Sequence, residues 1–259
     1  MTAARYALDN GWDQARHRLA LLEQYLDPVT FRRIQALGLR EGWQCLEIGG
    51  GGGSVTRWLC EKVGATGQVT ATDLDTRFLD EIDAPNLTVL RHDITTDSLP
   101  EAQYDLVHVR WLLHHLPQRD AVLPRLADAV RPGGWLLIED VDFFPLQASE
   151  NSLYVEFMLA LSEAVVKAAG GDRYWGRKLP ALVAGLGMTD IGADADVPIL
   201  RGGGPIAKFF QLTSAQIRDK VLALGTISEE RFDAGIASLD DPAVWGFAGA
   251  GIGVWARRF

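Results

Sequence analysis

The sequence predicts an α/β protein with a doubly wound, mostly parallel sheet, and two observations carry the prediction. From Trp43 onward, five short apolar runs alternate with helix-like segments, the pattern of βαβ units covered on both faces. Directly after the first run and before a helical segment stand five consecutive glycines, Gly49 to Gly53. With 259 residues, 47% hydrophobic and 23% charged, the chain can bury one sizeable core with an appendage, which excludes disorder as its main state.

The elements follow in order. Leu19, Leu22, Leu26, Val29 and Ile34 recur at roughly helical spacing, and Asp27-Pro28 interrupts them, so residues 1–41 are expected to form two leading helices. The five runs are W-Q-C-L-E-I, V-T-A-T-D, L-T-V-L-R-H-D, Y-D-L-V-H-V-R and W-L-L-I-E-D. Helices are expected over Ser54 to Val63, Thr76 to Ile82 and Arg119 to Val130, completing a core over 42–142. Beyond Asp142 the alternation stops. Ser152 to Ala169 reads as a long amphipathic helix, then a Gly-Gly-Asp break and a helical piece from Leu179 to Leu186, together a lid insertion over 143–187. Met188 to Leu200 and Val244 to Arg257 supply a sixth and seventh strand within 188–259, around a second helical insertion at about 205–240. No repeat or linker splits the chain.

Charge and cysteine content limit the partners. Lys plus Arg total 25 against 34 Asp plus Glu, a formal charge of -9, the wrong sign for neutralising phosphates across a broad surface, so no nucleic-acid partner is expected. Cys45 and Cys60 are too few for a disulfide scaffold and supply no clustered zinc ligands, which fits a reduced, cytoplasmic setting. The N-terminus lacks the continuous apolar core of a signal peptide. The longest uncharged stretch, Pro242 to Ala256, is too short and glycine-rich to span a bilayer, so no membrane partner is expected. The expectation is a soluble monomer or homodimer.

The glycines point to a ligand. They let the backbone turn tightly, approach a bound molecule without Cβ obstruction, and present N–H groups beside a helix N-terminus. A Walker phosphate loop would need a following Lys, which is absent. A dinucleotide fingerprint finds Gly49 and Gly51, then Ser54 where the smallest residue is wanted. An NAD-dependent oxidoreductase is therefore the weaker reading of this turn.

The segment Glu47-x-Gly49-x-Gly51-x-Gly53, with Asp73 closing the second strand, Asp93 the third, and the blocks Tyr104 to Pro117 and Val130 to Asp140 following in order, resembles the class I S-adenosylmethionine-dependent methyltransferases. Its nearest subgroup looks like the small-molecule methyltransferases of secondary metabolism and quinone biosynthesis. The resemblance covers about Gly42 to Asp142. It implies a Rossmann-like, seven-stranded sheet with helical lid insertions after strands 5 and 6, and S-adenosyl-L-methionine as cofactor. Glu47, Gly49, Gly51 and Gly53 would form the cofactor turn. Asp73, with Leu74 beside it, would accept the ribose hydroxyls, and Asp93 with the Ile94 N–H would meet the adenine, while Arg110 could pair with the cofactor carboxylate.

The expected reaction is methyl transfer to a small, partly hydrophobic acceptor, with oxygen favoured over nitrogen or carbon. His114 and His115 lie just past the fourth strand, where an imidazole can take a proton from a hydroxyl, and His115 is the first candidate. Asp142 is the alternative. No metal is expected: Glu139, Asp140 and Asp142 close the fifth strand, but Arg110 and Trp111 stand where oxygen ligands would be needed. His108, within V-H-V-R, is expected to be structural. Aromatics including Phe143, Phe157, Phe209 and Phe210 fall in the insertions and suggest an apolar lid over the acceptor. A protein that binds the cofactor without using its methyl group is the second alternative.

Overall fold

The computed structural model describes residues 8–167 and 170–259. The seven-stranded sheet has the order β3-β2-β1-β4-β5-β9-β6. Strands β1 (Gln44–Ile48), β2 (Gln68–Asp73), β3 (Leu87–Arg91), β4 (Tyr104–Arg110) and β5 (Val130–Asp142) pair in parallel. Strand β9 (Ala250–Arg257) runs antiparallel between β5 and β6 (Thr189–Asp196). The chain winds outward from β1 through β2 to β3, then returns to β4 on the other side. The carboxyl ends of β1 and β4 therefore flank the switch point where ligands of open α/β sheets bind. The first strand ends on the glycines and β4 ends on Trp111.

Helices α2 (Ser54–Val63) and α3 (Arg119–Ala129) lie where the sequence puts them. The two expected leading helices are instead one, α1 (Ala15–Ala36), with Pro28 inside it. An interior proline costs roughly 3 kcal/mol. Polar anchors on either side offset this: the Asp27 carboxylate accepts from Arg110 Nη1 at 2.8 Å, and Arg33 Nη1 donates to Glu139 Oε1 at 2.5 Å. The segment Thr76–Ile82 forms turns rather than a helix. There Thr76 Oγ1 donates to Asp80 at 2.8 Å and the Asp75 carboxylate takes Arg77 Nε, local bonds that compete with a helical ladder.

Helix α4 (Ser152–Lys167) stands in for the long helix expected to Ala169, whose last two residues lie outside the described residues. Together with α6 (Pro205–Ala223), α7 (Glu229–Ser238) and Leu21 and Leu22 of α1, it encloses a second apolar core beside that of the sheet. Between α4 and α6 come α5 (Leu179–Ala184), β6 and β7 (Ile199–Arg201). The expected lid boundary needs correction at α5, because Leu179 and Val183 pack with Trp175 into the core of the sheet. Two expected strands are also divided. The run Met188 to Leu200 becomes β6 and β7, and Val244 to Arg257 becomes β8 (Trp245–Phe247) and β9, with β7 and β8 pairing as a separate ribbon. Pro198, which has no N–H for a ladder, separates β6 from β7.

A row of charges is buried in the middle of the sheet. His108 on β4 is 0% exposed; its Nδ1 meets Glu47 Oε2 on β1 at 2.6 Å and its Nε2 meets Glu139 Oε2 on β5 at 2.9 Å. Arg33 reaches in from α1 to bridge Glu139 and Asp194. The space it needs exists because residue 253 is glycine: a Cβ there would lie 2.4 Å from Arg33 Nε. Burial alone would lower the His108 pKa, but the two flanking carboxylates raise it to about 9 from 6.5. Burial pushes Glu139 up, whereas the hydrogen bond and charge of His108, with Arg33, bring it down to about 2 from 4.5.

The signs fix a pH dependence. The His108 contribution is complete below pH 6.5 and is lost as pH rises through 9, while that of Glu139 is present above pH 4.5 and lost as pH falls through 2. The thermal midpoint should therefore decline between pH 6.5 and 9, and His108→Gln should flatten that limb. Calorimetry across the range checks this, and a wild-type midpoint that stays level would exclude a protonated His108.

Candidate functional site at the carboxyl edge

The glycine turn uses alternate left-handed residues, with φ of +73° at Gly49, +54° at Gly51 and +87° at Gly53. This conformation disfavours any side chain and explains the E-x-G-x-G-x-G spacing. The N–H groups of Gly49 and Gly50 donate to the Thr72 carbonyl at 2.8 and 3.0 Å, which ties the turn to β2. At the end of β2, Asp73 Oδ2 accepts from the Gly51 N–H at 3.0 Å and Oδ1 from the Asp75 N–H at 3.1 Å. Burial raises the Asp73 pKa, and these N–H donors oppose the rise.

Helix α1 lies across the same turn. Glu23 Oε1 accepts from the Ser54 N–H at 3.2 Å, and Asp27 Oδ1 from Ser54 Oγ at 2.9 Å. The closeness requires a glycine, since a Cβ at Gly52 would lie 2.4 Å from Glu23 Oε1. Two carboxylates thus occupy the N-terminal end of α2, where the helix dipole favours negative charge. Desolvation raises the Glu23 pKa, and the Ser54 N–H partly offsets it. Arg110 Nη1 donates to Asp27 at 2.8 Å and to Thr30 Oγ1 at 3.1 Å, so it joins β4 to α1.

The other expected cofactor residues are spread along this edge. Leu74 is half-exposed, with its carbonyl held by Arg91 Nε at 3.1 Å. Asp93 Oδ1 accepts from the Thr95 N–H and hydroxyl at 2.9 and 2.6 Å, and Ile94 is buried with its carbonyl on Arg125. Glu47 needs correction: its carboxylate points to His108 within the sheet rather than to the turn. Alternation along β1 carries it there, because a strand's side chains face opposite sides in turn.

Past β4 the chain forms a second, apolar compartment. Trp111 has a positive φ of 50°, its N–H donates to the Glu139 carbonyl at 2.8 Å, and its ring meets Tyr25 and His114 edge-on. In the single turn Leu113–His115, the His114 N–H donates to Asp140 Oδ2 at 2.9 Å while its Nδ1 contacts Asp140 Oδ1. Both residues are buried. The Val141 N–H also donates to Oδ1, so this oxygen acts as an acceptor and Nδ1 carries the proton.

A chamber of about 50 Å³ opens on both histidines, walled by Arg18 and Leu22 of α1, Met158 and Leu161 of α4, and Phe209 and Phe210 of α6. The His115 ring lies 3.8 Å from that of His114. Burial, then the neighbouring His114 and Arg18, hold its pKa well below the ordinary value, so it is neutral at pH 7. Asp142, a candidate from sequence, is withdrawn from the chamber. Arg177 grips it with Nε at 2.7 Å and Nη2 at 2.9 Å, and the Phe144 N–H takes the remaining approach at 3.0 Å. The acid behind a histidine is Asp140.

Sequence reasoning missed Glu23, Asp27, Arg18 and Arg33. A signal existed for the first two, since acids four apart share one face of a helix and repel unless something positive or N–H-rich lies opposite. Among the described residues no cluster of three or more His, Cys, Asp or Glu is placed to hold a metal, and no helix is long and apolar enough to cross a membrane.

Residues 46–136 match a family described as a methyltransferase domain. Methyltransferase str2 of Strobilurus tenacellus is 34% identical over 92 residues, covering 35% of this chain and 34% of that protein. The ubiquinone/menaquinone biosynthesis C-methyltransferase UbiE of Laribacter hongkongensis is 32% identical over 113 residues, 40% of this chain and 46% of that protein. The chain thus spans less than half the length of these curated relatives. Among solved structures, phosphoethanolamine N-methyltransferase 2 of Haemonchus contortus, in complex with phosphomonomethylethanolamine and S-adenosylhomocysteine, matches with a TM-score of 0.53 at 19% identity, over 96% of this chain and 53% of that one. At that identity the likeness shows the fold.

Proposed function

We propose that this chain, whose residues 46–136 match a methyltransferase domain family, transfers a methyl group from S-adenosylmethionine to a small, partly hydrophobic acceptor. The observation that carries the reading is the turn of left-handed glycines whose Gly51 N–H ends on the Asp73 carboxylate. A cradle without Cβ atoms beside a half-buried strand-end acid fits an adenosyl ligand: the backbone N–H groups would meet its polar atoms and Asp73 would accept its ribose hydroxyls. When bound, the cofactor supplies an activated methyl on a sulfonium. What remains for the protein is alignment, exclusion of water and handling of one proton.

His114 handles the proton. With Nδ1–H fixed on Asp140, its Nε2 lone pair is the basic position, and the imidazolium formed on proton uptake is stabilised by the carboxylate behind it. The apolar chamber walls keep water from competing for the methyl group. Oxygen of a hydroxyl is the acceptor atom that best uses such a base. Carbon is the second reading, favoured by the C-methyltransferase among the relatives, and it too must lose a proton.

Titration calorimetry with S-adenosylhomocysteine against NADH tests the reading. Binding of the former alone is expected; binding of NADH alone would overturn it. In the same assay Asp73→Ala should weaken S-adenosylhomocysteine by about 1.5 to 3 kcal/mol, the usual worth of hydrogen bonds to a charged group. Normal affinity would make Asp73 a structural residue of the turn.

A further inference from the structure

We propose that the cavity at the amino edge of the sheet is a second ligand site, one that takes a small phosphate monoester. The cavity measures about 230 Å³ and lies where β1, β4 and β5 begin and β9 ends, at the opposite end of the strands from the glycine turn. Leu37 and Gly38 bound it from the end of α1, and Trp43 and Trp135 supply indole walls. Three arginines line it, Arg40, Arg131 and Arg257, against one carboxylate, Asp105. The chain as a whole carries a formal charge of -9, so this local excess of cations runs against its overall sign. The site stands apart from the methyl-transfer reading and does not rest on it.

The carboxylate in the wall is already engaged. Asp105 is buried, its Oδ2 accepts the Gln44 N–H at 2.8 Å, and its Oδ1 pairs with Arg131. Arg257 gives Nε to the Gly133 carbonyl at 3.1 Å, and the carboxylate it meets, that of Asp190, is exposed and 3.7 Å from Nη1. Its guanidinium lies 5.6 Å from the centre of the Trp135 ring, and that of Arg40 lies 5.9 Å from the centre of the Trp43 ring. An arginine held by an aromatic face spends none of its N–H donors on the contact. Among the described residues Arg40 makes no ion pair and no side-chain hydrogen bond, so its donors are open to a ligand. One guanidinium matches the two oxygens of a carboxylate, whereas a phosphate dianion, with three acceptor oxygens, is matched by several cations around it. Gly38 leaves room on the side of α1, since a Cβ there would meet nothing within 4 Å. A phosphate among the arginines places the rest of a small molecule along Leu37 and Trp135, both partly exposed.

Titration calorimetry of the whole protein with phenyl phosphate and with benzyl alcohol tests the site. Wild type should bind one phenyl phosphate per chain, at least about 10-fold more tightly than benzyl alcohol and more weakly as salt is raised. Arg40→Gln should weaken phenyl phosphate by about 10-fold, and Arg40→Gln combined with Arg257→Gln by about 100-fold, with circular dichroism reporting the fold. Arg201→Gln, at an arginine outside the cavity wall, should leave the affinity within about twofold. Absence of binding by wild type, equal binding of the alcohol, or wild-type affinity in a folded Arg40→Gln protein would overturn the site. An equal loss in Arg201→Gln would reduce the binding to diffuse attraction and overturn it as well. Should the double variant fail to fold, Arg40→Gln decides alone, because that side chain has no hydrogen bond or ion pair to lose. Phenyl phosphate should still bind when S-adenosylhomocysteine is saturating; mutual exclusion of the two would move the phosphate to the glycine turn and remove the second site.

Discussion

Gly51→Val should yield a folded protein whose affinity for S-adenosylhomocysteine is lower by at least about 100-fold. The folded state has room: a Cβ at position 51 would meet only Leu19 Cδ2 at 3.9 Å and the Gly49 carbonyl at 4.0 Å. What it lacks is a comfortable backbone, because a β-branched residue at φ +54° is strained by roughly 1 to 3 kcal/mol. Relief of that strain rotates the peptide that donates to Asp73, and the two isopropyl methyls project over the cofactor's approach. Gly53 would be a poorer test, since a Cβ there would come 2.7 Å from Ile82 Cδ1 and fold and binding would fail together. Calorimetry for binding and circular dichroism for the fold separate the effects. Normal affinity in a folded Gly51→Val protein would dissociate the turn from the cofactor.

His114→Ala should lower the maximal rate of methyl transfer to a hydroxyl acceptor by roughly 100- to 10,000-fold with cofactor affinity within about twofold, the range for removal of a positioned general base. Asp140→Asn should lower the rate as well, because an amide cannot stabilise the imidazolium and presents a donor where Nδ1–H needs an acceptor. His115→Ala should cost only packing and its share of the wall, since a ring held neutral well below its ordinary pKa is a weak base. Rates measured against pH for the three variants decide the matter. A loss confined to His115→Ala would return the role to His115, the first candidate from sequence.

The parallel core was legible because short, largely apolar runs alternate with helix-like segments, and because helix α2 begins directly after the glycines. The positions of Asp73 and Asp93 at strand ends followed from the same alternation. What escaped notice depends on pairs far apart in the chain. Glu47, His108, Glu139 and Arg33 look like ordinary strand and helix charges until the strand order brings them into one buried row. Pro28 reads as a break, whereas the anchors that α1 makes to β4 and β5 lie on either side of it and offset its cost within one helix. Asp140 and Asp142 share one face of β5, and the choice between them turns on how far along the strand the Leu113–His115 turn reaches, which residue spacing does not encode.

Helix α1 reaches the chamber, the glycine turn and the buried charges of the sheet. Its fifteen steps from Arg18 to Arg33 span about 22 Å. Along that length it walls the acceptor chamber with Arg18, rests on the cofactor turn through Glu23 and Asp27, and is bolted to the sheet by Arg33. On the proposed function, the cofactor turn and the acceptor chamber therefore rest on one rod rather than standing as two separate compartments. Whatever factor the cofactor applies to acceptor affinity by shifting α1, the acceptor returns to the cofactor in equal measure, because linkage between sites is reciprocal. On the proposed reading, the seating of a single helix is what would let each ligand feel the other.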